Sequence, residues 1–271
     1  MEIHVDRFAF LYNDGQFDLL QSMISQHLSV GLSHYSEHEQ LEILYYALAI
    51  NLNERNDELL LCYEQALKGS SDVKHLARFG TIRATYAELS GQKQQATALW
   101  TSLLQWVEPQ AYHCPEVYAT TLGNAMRMCI ETAQYEQAIQ LYAAAHRENL
   151  ARVFALSPKT YFHIHDNLLH AYAARKQWRT AQMLIEALLN MPEMLKYPRY
   201  HQLLTIAYGY IISQHDIEKG VRICLPIVKE INCFEMNRLS LKFAYEKWID
   251  ILERYGDEGL LAQYKKRAAN V

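Results

Sequence analysis

One phrase recurs along this chain and limits what it can fold into: an apolar helix end, a short polar turn, then a small or aliphatic residue one turn into a second helix. The clearest copy runs from Tyr86 through Gly91 and Ala96 to Trp100. Others run from Cys129 through Ala138 to Tyr142, from Tyr172 through Ala181 to Ile185, and from Tyr210 through Gly220 to Cys224. Degenerate copies lie around Gly15 to Ile24 and Glu54 to Tyr63. The aligned marks are Leu20, Leu59, Ala96, Ala138, Ala181 and Gly220, separated by 39, 37, 42, 43 and 39 residues. A loose period of this size is the signature of a helix-pair array. The small residue lets two helices approach closely. The larger residue four positions on (Trp100, Tyr142, Ile185) fills the space beside it on the same face.

Composition excludes the competing architectures. Ten Gly and six Pro in 271 residues lie well below the average of about 7% and 5%, too few for the turns of a sandwich, a barrel or a many-stranded α/β sheet. Half the residues are hydrophobic, so the chain can bury a core and is not intrinsically disordered. The balance of 26 Lys+Arg against 30 Asp+Glu carries no nucleic-acid footprint over its whole length. Five scattered cysteines (Cys62, Cys114, Cys129, Cys224, Cys233) form no CxxC pair and suit a reduced, cytoplasmic setting. The start of the chain does not read as a signal peptide. Leu41 to Leu52, the most apolar stretch, holds Glu42 and Asn51 and is too short to span a bilayer.

The expected fold is therefore all-α: a right-handed superhelical solenoid of about six tetratricopeptide-like helix pairs, one domain over 1–271. Residues 1–70 form degenerate repeats, 71–231 the main repeats, and 232–271 the C-terminal helices. Periodicity predicts helices over 3–12, 16–29, 37–52, 56–68, 72–90, 92–107, 115–132, 135–149, 158–175, 178–190, 197–213, 217–231, 233–254 and 258–268. Loops are expected at Glu108 to Cys114, Ala151 to Pro158 and Met191 to Pro198. Gly91 falls where a turn can demand positive φ, Pro115 and Pro158 where helices start, and Asp57 and Asp72 where N-caps belong.

Motifs of catalysis are sparse. There is no GxSxG, Walker loop or GxGxxG. Among twelve histidines, His163 and His165 are the only close pair, and an i,i+2 pair points to different helix faces. His4, His27, His34 and His38 lack zincin spacing and a nearby cysteine pair. Cys129 sits in an apolar face and reads as a small buried hydrophobe. Glu58 and Glu136 compensate helix dipoles, and Glu88 reads as part of a solvated face. Neither an enzyme, nor a metal site, nor a cofactor is expected.

Polar residues placed where an array has its inner face carry the functional signal. Counting back from the small marks puts Arg78, Thr85, Asn124, Arg127, His163, Asn167 and His170 there. Asn124 and Asn167 stand fourteen residues before Ala138 and Ala181, and Arg127 and His170 eleven before the same marks. An Asn amide both donates and accepts, so it can hold a peptide unit by its CO and NH; a ladder of them would grip an extended peptide. Arg127 or Arg83 could pair with an acidic side chain or a terminal carboxylate. Of nineteen tyrosines, those of the later half (Tyr161, Tyr200, Tyr208, Tyr210, Tyr245) read mostly as packing, a few as pocket walls.

The stretches Asn167 to Tyr172, Ala181 to Ile185, Tyr200 to Tyr210 and Asp216 to Gly220 resemble the C-terminal region of Rgg/GadR/MutR-type transcription regulators, over roughly 115 to 250. The resemblance implies a repeat domain that binds a short secreted signalling peptide in its concave groove and a homodimer made through C-terminal helices. It places Asn124 and Asn167 on the helices that hold the peptide backbone, with Arg127, His170 and Asn237 as neighbours. Family members also carry a helix-turn-helix; residues 1 to 60 read instead as helix pairs with no basic recognition helix. DNA is thus expected as a partner only through a domain outside this chain, with no membrane partner. The alternative expectation is an interaction scaffold that holds a protein segment without any DNA-linked role.

Overall fold

The structure, a computed structural model, describes residues 5–13, 16–52, 54–145, 147–231 and 238–269. Among the described residues there are fifteen α-helices and no strand. They are α1 (Val5–Asn13), α2 (Phe17–Val30), α3 (Glu37–Ile50), α4 (Asp57–Ala66), α5 (Val73–Leu89), α6 (Lys93–Val107), α7 (Pro115–Glu131) and α8 (Tyr135–Ala144). Then come α9 (Arg147–Leu156), α10 (Pro158–Ala174), α11 (Trp178–Leu189), α12 (Pro198–Ile212), α13 (Ile217–Glu230), α14 (Arg238–Tyr255) and α15 (Glu258–Ala268). Among the described residues no helix is long and apolar enough to cross a membrane. The chain divides into two compact units, Met1–Met128 and Cys129–Val271.

In the first unit α3 is the centre: α1, α2, α4 and α5 all pack against it, and α5 pairs with α6. Its sequence explains this. Leu41, Ile43, Leu44, Tyr46, Ala47, Leu48 and Ala49 leave α3 almost no polar face, and all are buried. A helix apolar on all sides must be covered on all sides. Phe8, Leu11, Leu20 and Ile24 cover one flank, and Tyr63, Leu67, Ile82 and Tyr86 the other. A capping box at Ser36 and Glu39 starts α3: Glu39 N–H donates to the Ser36 hydroxyl and Ser36 N–H donates to the Glu39 carboxylate, satisfying two otherwise orphaned donors.

In the second unit α12 holds the same place, touching α10, α11, α13 and α14, while α14 pairs with α15. Here α12 and α13 approach at backbone distance. A Cβ on Gly220 would lie 2.8 Å from the Gly209 carbonyl oxygen and 2.9 Å from Ser213 Cα. The remaining small marks, Ala96, Ala138 and Ala181, are also fully buried, as close helix pairing requires. The pattern in each unit, a helix touching its hairpin partner and the next pair, is compatible with stacked two-helix repeats.

The turns inside the pairs repeat with atomic fidelity. Gly91, Ala133 and Lys176 all adopt positive φ, at 74°, 58° and 56°. Each is followed by a glutamine with φ near −85° and ψ near 57° (Gln92 −82/60, Gln134 −91/53, Gln177 −83/58). The glutamine N–H donates back across the turn, Gln92 to the Ala87 carbonyl at 3.0 Å, Gln134 to Cys129 at 2.7 Å and Gln177 to Tyr172 at 2.9 Å. This six-to-one bond closes the end of the preceding helix. Gly91 adopts the left-handed conformation without penalty, whereas Ala133 and Lys176 are held in it against a Cβ clash.

Pro115 and Pro158 open α7 and α10, as expected. Three details depart from the sequence reading. The cap of α4 is Asn56, whose side chain accepts from Leu59 N–H at 2.9 Å, and Asp57 is the first helical residue. The helix expected over 135–149 ends at Ala144, because Ala145 turns to extended backbone (φ −62°, ψ 127°). Where a loop was expected, α9 buries Leu150 and Val153 and packs on α10; these residues, three apart, form a short apolar stripe.

Candidate functional site

α10 is built from both ends of its sequence. Ser157 caps it by accepting from Thr160 N–H at 3.3 Å, with Pro158 in the first turn. Phe162, Ile164, Leu168, Leu169 and Ala171 are buried. Against that apolar set, His163, Asp166, Asn167 and His170 occupy positions i, i+3, i+4 and i+7, one polar stripe along one face. Asn167 is 5% exposed despite its polar amide. His165, two residues from His163, belongs to the opposite side. Its Nδ1–H donates to the Tyr161 carbonyl at 2.8 Å and its Nε2 accepts from the Tyr142 hydroxyl at 2.8 Å, and burial pushes it down to about 4. It is a neutral core histidine.

α14 approaches this stripe with Lys247 and Phe243. Lys247 Nζ lies 3.3 Å and 3.4 Å from the two ring nitrogens of His170. The Phe243 and His170 rings are 4.8 Å apart, and an Asp166 oxygen is 3.7 Å from His170 Nε2. Burial, reinforced by Lys247 and His163, holds His170 well below the usual imidazole range, so it is neutral at pH 7. Burial also pushes Lys247 down to about 8, against the pull of Asp166 and Glu246. Burial raises Asp166, opposed by Lys247 and Arg199. Perturbed titratable groups converging on one place mark a candidate site. Asp166 and Lys247 were not picked out from the sequence; the i,i+3 relation of Asp166 to His163 was the available signal, while Lys247 arrives from 77 residues beyond His170.

The first unit holds the other candidates. On α7, Arg127 donates to the Glu88 carboxylate of α5 at 2.6 Å and to Asn124 Oδ1 at 3.4 Å. Glu88, read from sequence as a solvated face, is thus the acid that Arg127 engages, with both side chains partly buried. Arg83 is exposed and lies 5.7 Å over the Phe79 ring. Thr85 donates to the Thr81 carbonyl of its own helix at 2.8 Å. Asn237 and Cys233 lie outside the described residues. The stripe on α10 therefore brings His163, Asn167 and His170 onto one face, and α7 brings Asn124 and Arg127 together, each within its own unit.

Arg78, placed on the inner row by spacing, is committed to a buried carboxylate. Glu42, 4% exposed at the centre of α3, accepts from Arg78 Nη1 at 2.9 Å and Lys74 Nζ at 3.3 Å, with His75 Nε2 also at 3.3 Å. Burial pushes the Glu42 carboxyl upward. The His75 contact and the charges of Arg78 and Lys74 together outweigh it and hold it at about 2. Arg78 also stacks 4.0 Å over the Tyr45 ring, and the Tyr63 hydroxyl sits 2.8 Å from His75 Nδ1. His38, Glu42 and His75 offer ligand atoms within 4.8 Å of one another. Two histidines and a carboxylate are a plausible donor set for a divalent transition metal. The two cations already on Glu42 cancel the charge such an ion would need, so the cluster works as an ion-pair hub.

Cys129 is fully buried and its thiol is pushed up to about 11 by burial, the opposite of an activated nucleophile. Of the later tyrosines, Tyr245 is buried in the α12–α14 core, and Tyr208 donates to Glu186 at 3.0 Å. An open depression of about 480 Å³ in the first unit is lined by Ile24, Leu28, Leu48 and Leu59 together with Glu54 and Arg55. Another of about 510 Å³, in the second unit, is lined by Gln134, Gln137, Gln140 and Arg175. Neither is lined by the polar stripe of α10. No protein-family model matches this chain, and no curated protein matches it either.

Proposed function

We propose that the chain is a peptide-binding sensor: a solenoid of tetratricopeptide-like helix pairs whose inner face, lined in the second unit by α10, α12 and α14, takes a short extended signalling peptide. The observation that carries this reading is the stripe on α10. His163, Asp166, Asn167 and His170 form one polar row on a helix whose other faces are apolar, with Asn167 itself buried, and their side chains set hydrogen-bonding groups along that row. An Asn amide and a neutral imidazole present donors and acceptors at the spacing of a helical face, suited to a backbone. In this reading the sensor works as a homodimer within a transcription regulator, and DNA contact belongs to a domain outside residues 1–271. A peptide shifts the dimer between two arrangements only by its differential affinity for them.

The test is affinity selection from a defined pool of synthetic peptides of about five to ten residues, followed by calorimetry on retained peptides. Backbone gripping predicts that N-methylation of one central amide weakens binding about tenfold, whereas most side-chain alanine replacements do not. Asn167→Ala weakens the same peptides by a similar factor. Retained peptides indifferent to N-methylation and to Asn167→Ala remove the backbone grip.

One observation favours a second reading. Arg127 is bound by Glu88 and His170 is met by Lys247, so part of the polar surface is satisfied by the chain itself. A scaffold that holds a folded protein needs no backbone ladder, and it predicts that the pool leaves nothing bound.

A further inference from the structure

Where the side chains of α14 meet those of α10, Lys247 is the residue whose surroundings are incomplete. Its ammonium has three donors. Its nearest polar partner is the neutral ring of His170, at 3.3 Å and 3.4 Å. Among the described residues no carboxylate oxygen lies within 4.0 Å of its Nζ. Asp166 is turned toward His170 at 3.7 Å and feels two cations, Lys247 and Arg199. Glu246 also acts on Lys247 from its own helix, yet Lys247 remains a cation here that no described carboxylate oxygen contacts directly. Phe243 supplies an apolar wall, 4.8 Å from the His170 ring and 5.6 Å from Lys247 Nζ. The site reaches the surface at one edge, where Asp166 and His170 expose 20% and 15% of their side chains.

We infer that Lys247 and His170 form an anion subsite for one carboxylate of the bound peptide, with an apolar side chain of the same peptide against Phe243. The ammonium donates to one carboxylate oxygen. His170 can donate a ring N–H to the other once Lys247 turns from the ring to the ligand. A charge-assisted bond of this kind is among the stronger ones available to a partly buried site. The carboxylate could be the peptide's C-terminus or an Asp or Glu side chain; the chemistry is shared, and the experiment separates them.

The inference rests on the peptide reading above, and its test is arranged so that each can fail alone. Three versions of one pool of octapeptides are offered to the full chain: free C-termini, amidated C-termini, and amidated with Asp and Glu left out. Retained peptides are identified by mass and their affinities measured on wild type, Lys247→Met and Lys247→Arg. Met removes the charge while keeping the apolar stem, and melting curves confirm that both variants fold. The subsite predicts that the pool without any carboxylate binds at least tenfold more weakly than its parent. It also predicts that Lys247→Met abolishes that difference and that Lys247→Arg keeps it. Loss on amidation assigns the C-terminus; loss only when Asp and Glu are omitted assigns a side chain. Equal retention of all three versions, unchanged in Lys247→Met, overturns the subsite and leaves peptide binding standing. Retention of nothing by wild type overturns both.

Discussion

The three equivalent turns offer a test of the repeat in a single backbone angle. Ala133 and Lys176 sit at φ 58° and 56°, in the conformation that Gly91 takes at 74°. Both side chains are exposed, so replacing them with glycine removes no packing. Two backbone terms remain. Relief of the left-handed Cβ clash stabilises by about 1–2 kcal/mol. The greater freedom of glycine in the unfolded chain opposes it by about 0.4–1 kcal/mol. The difference predicts that Ala133→Gly and Lys176→Gly each stabilise by about 0.5–1 kcal/mol. Gly91→Ala, the reverse change at the matching turn, destabilises by about the same amount. Urea denaturation reads this as a shift of midpoint at constant slope. An ordinary C-terminal helix position predicts the opposite sign, since glycine there costs up to about 1 kcal/mol relative to alanine. If Ala133→Gly and Lys176→Gly both destabilise while Gly91→Ala is neutral, the shared turn is not what sets these angles.

Two further outcomes follow from the packing. Glu42 titrates below its unfolded value, 4.5 falling to about 2; stability from it is therefore complete above pH 4.5 and lost as pH falls toward 2. The total is about 3 kcal/mol, of which about 2 is gone by pH 3, so wild type must lose about that much more than Glu42→Gln between pH 7 and pH 3 in urea titrations, and parallel curves would refute it. Gly220→Ala sets a Cβ 2.8 Å from the Gly209 carbonyl oxygen, and overpacking of about 1–3 kcal/mol should outweigh the helix propensity gained; a higher melting temperature would mean that α12 and α13 are not in backbone contact.

What the sequence made legible was what each helix pair decides locally. Ala96, Ala138, Ala181 and Gly220 are buried where close pairing needs them, and Gly91 has its positive φ. The same alignment would have exposed Ala133 and Lys176 as left-handed, because a glutamine follows all three. The break at Ala145 was hidden, since nothing in an alanine announces extended backbone, and α9 was lost with it. Long-range partners were the other omission. Glu42 stands inside the most apolar run of the chain and finds Arg78 thirty-six residues later. Arg127 finds Glu88 thirty-nine residues earlier, and Lys247 reaches back to His170. The stripe of α10 could be read because its members share one helix. Its depth and its neighbours from α14 could not, because burial is a property of the assembled unit.

The Glu42–Arg78 contact also bears on how neighbouring helix pairs keep their register. Two-helix modules of similar shape can in principle dock with a neighbour one turn out of step, since greasy surfaces discriminate poorly between offsets. Sliding α5 along α3 by one turn, about 5.4 Å, would maroon a carboxylate and a guanidinium in hydrocarbon, at a cost of several kcal/mol. The pair acts as a notch and pawl, admitting one alignment of adjacent modules and refusing the next.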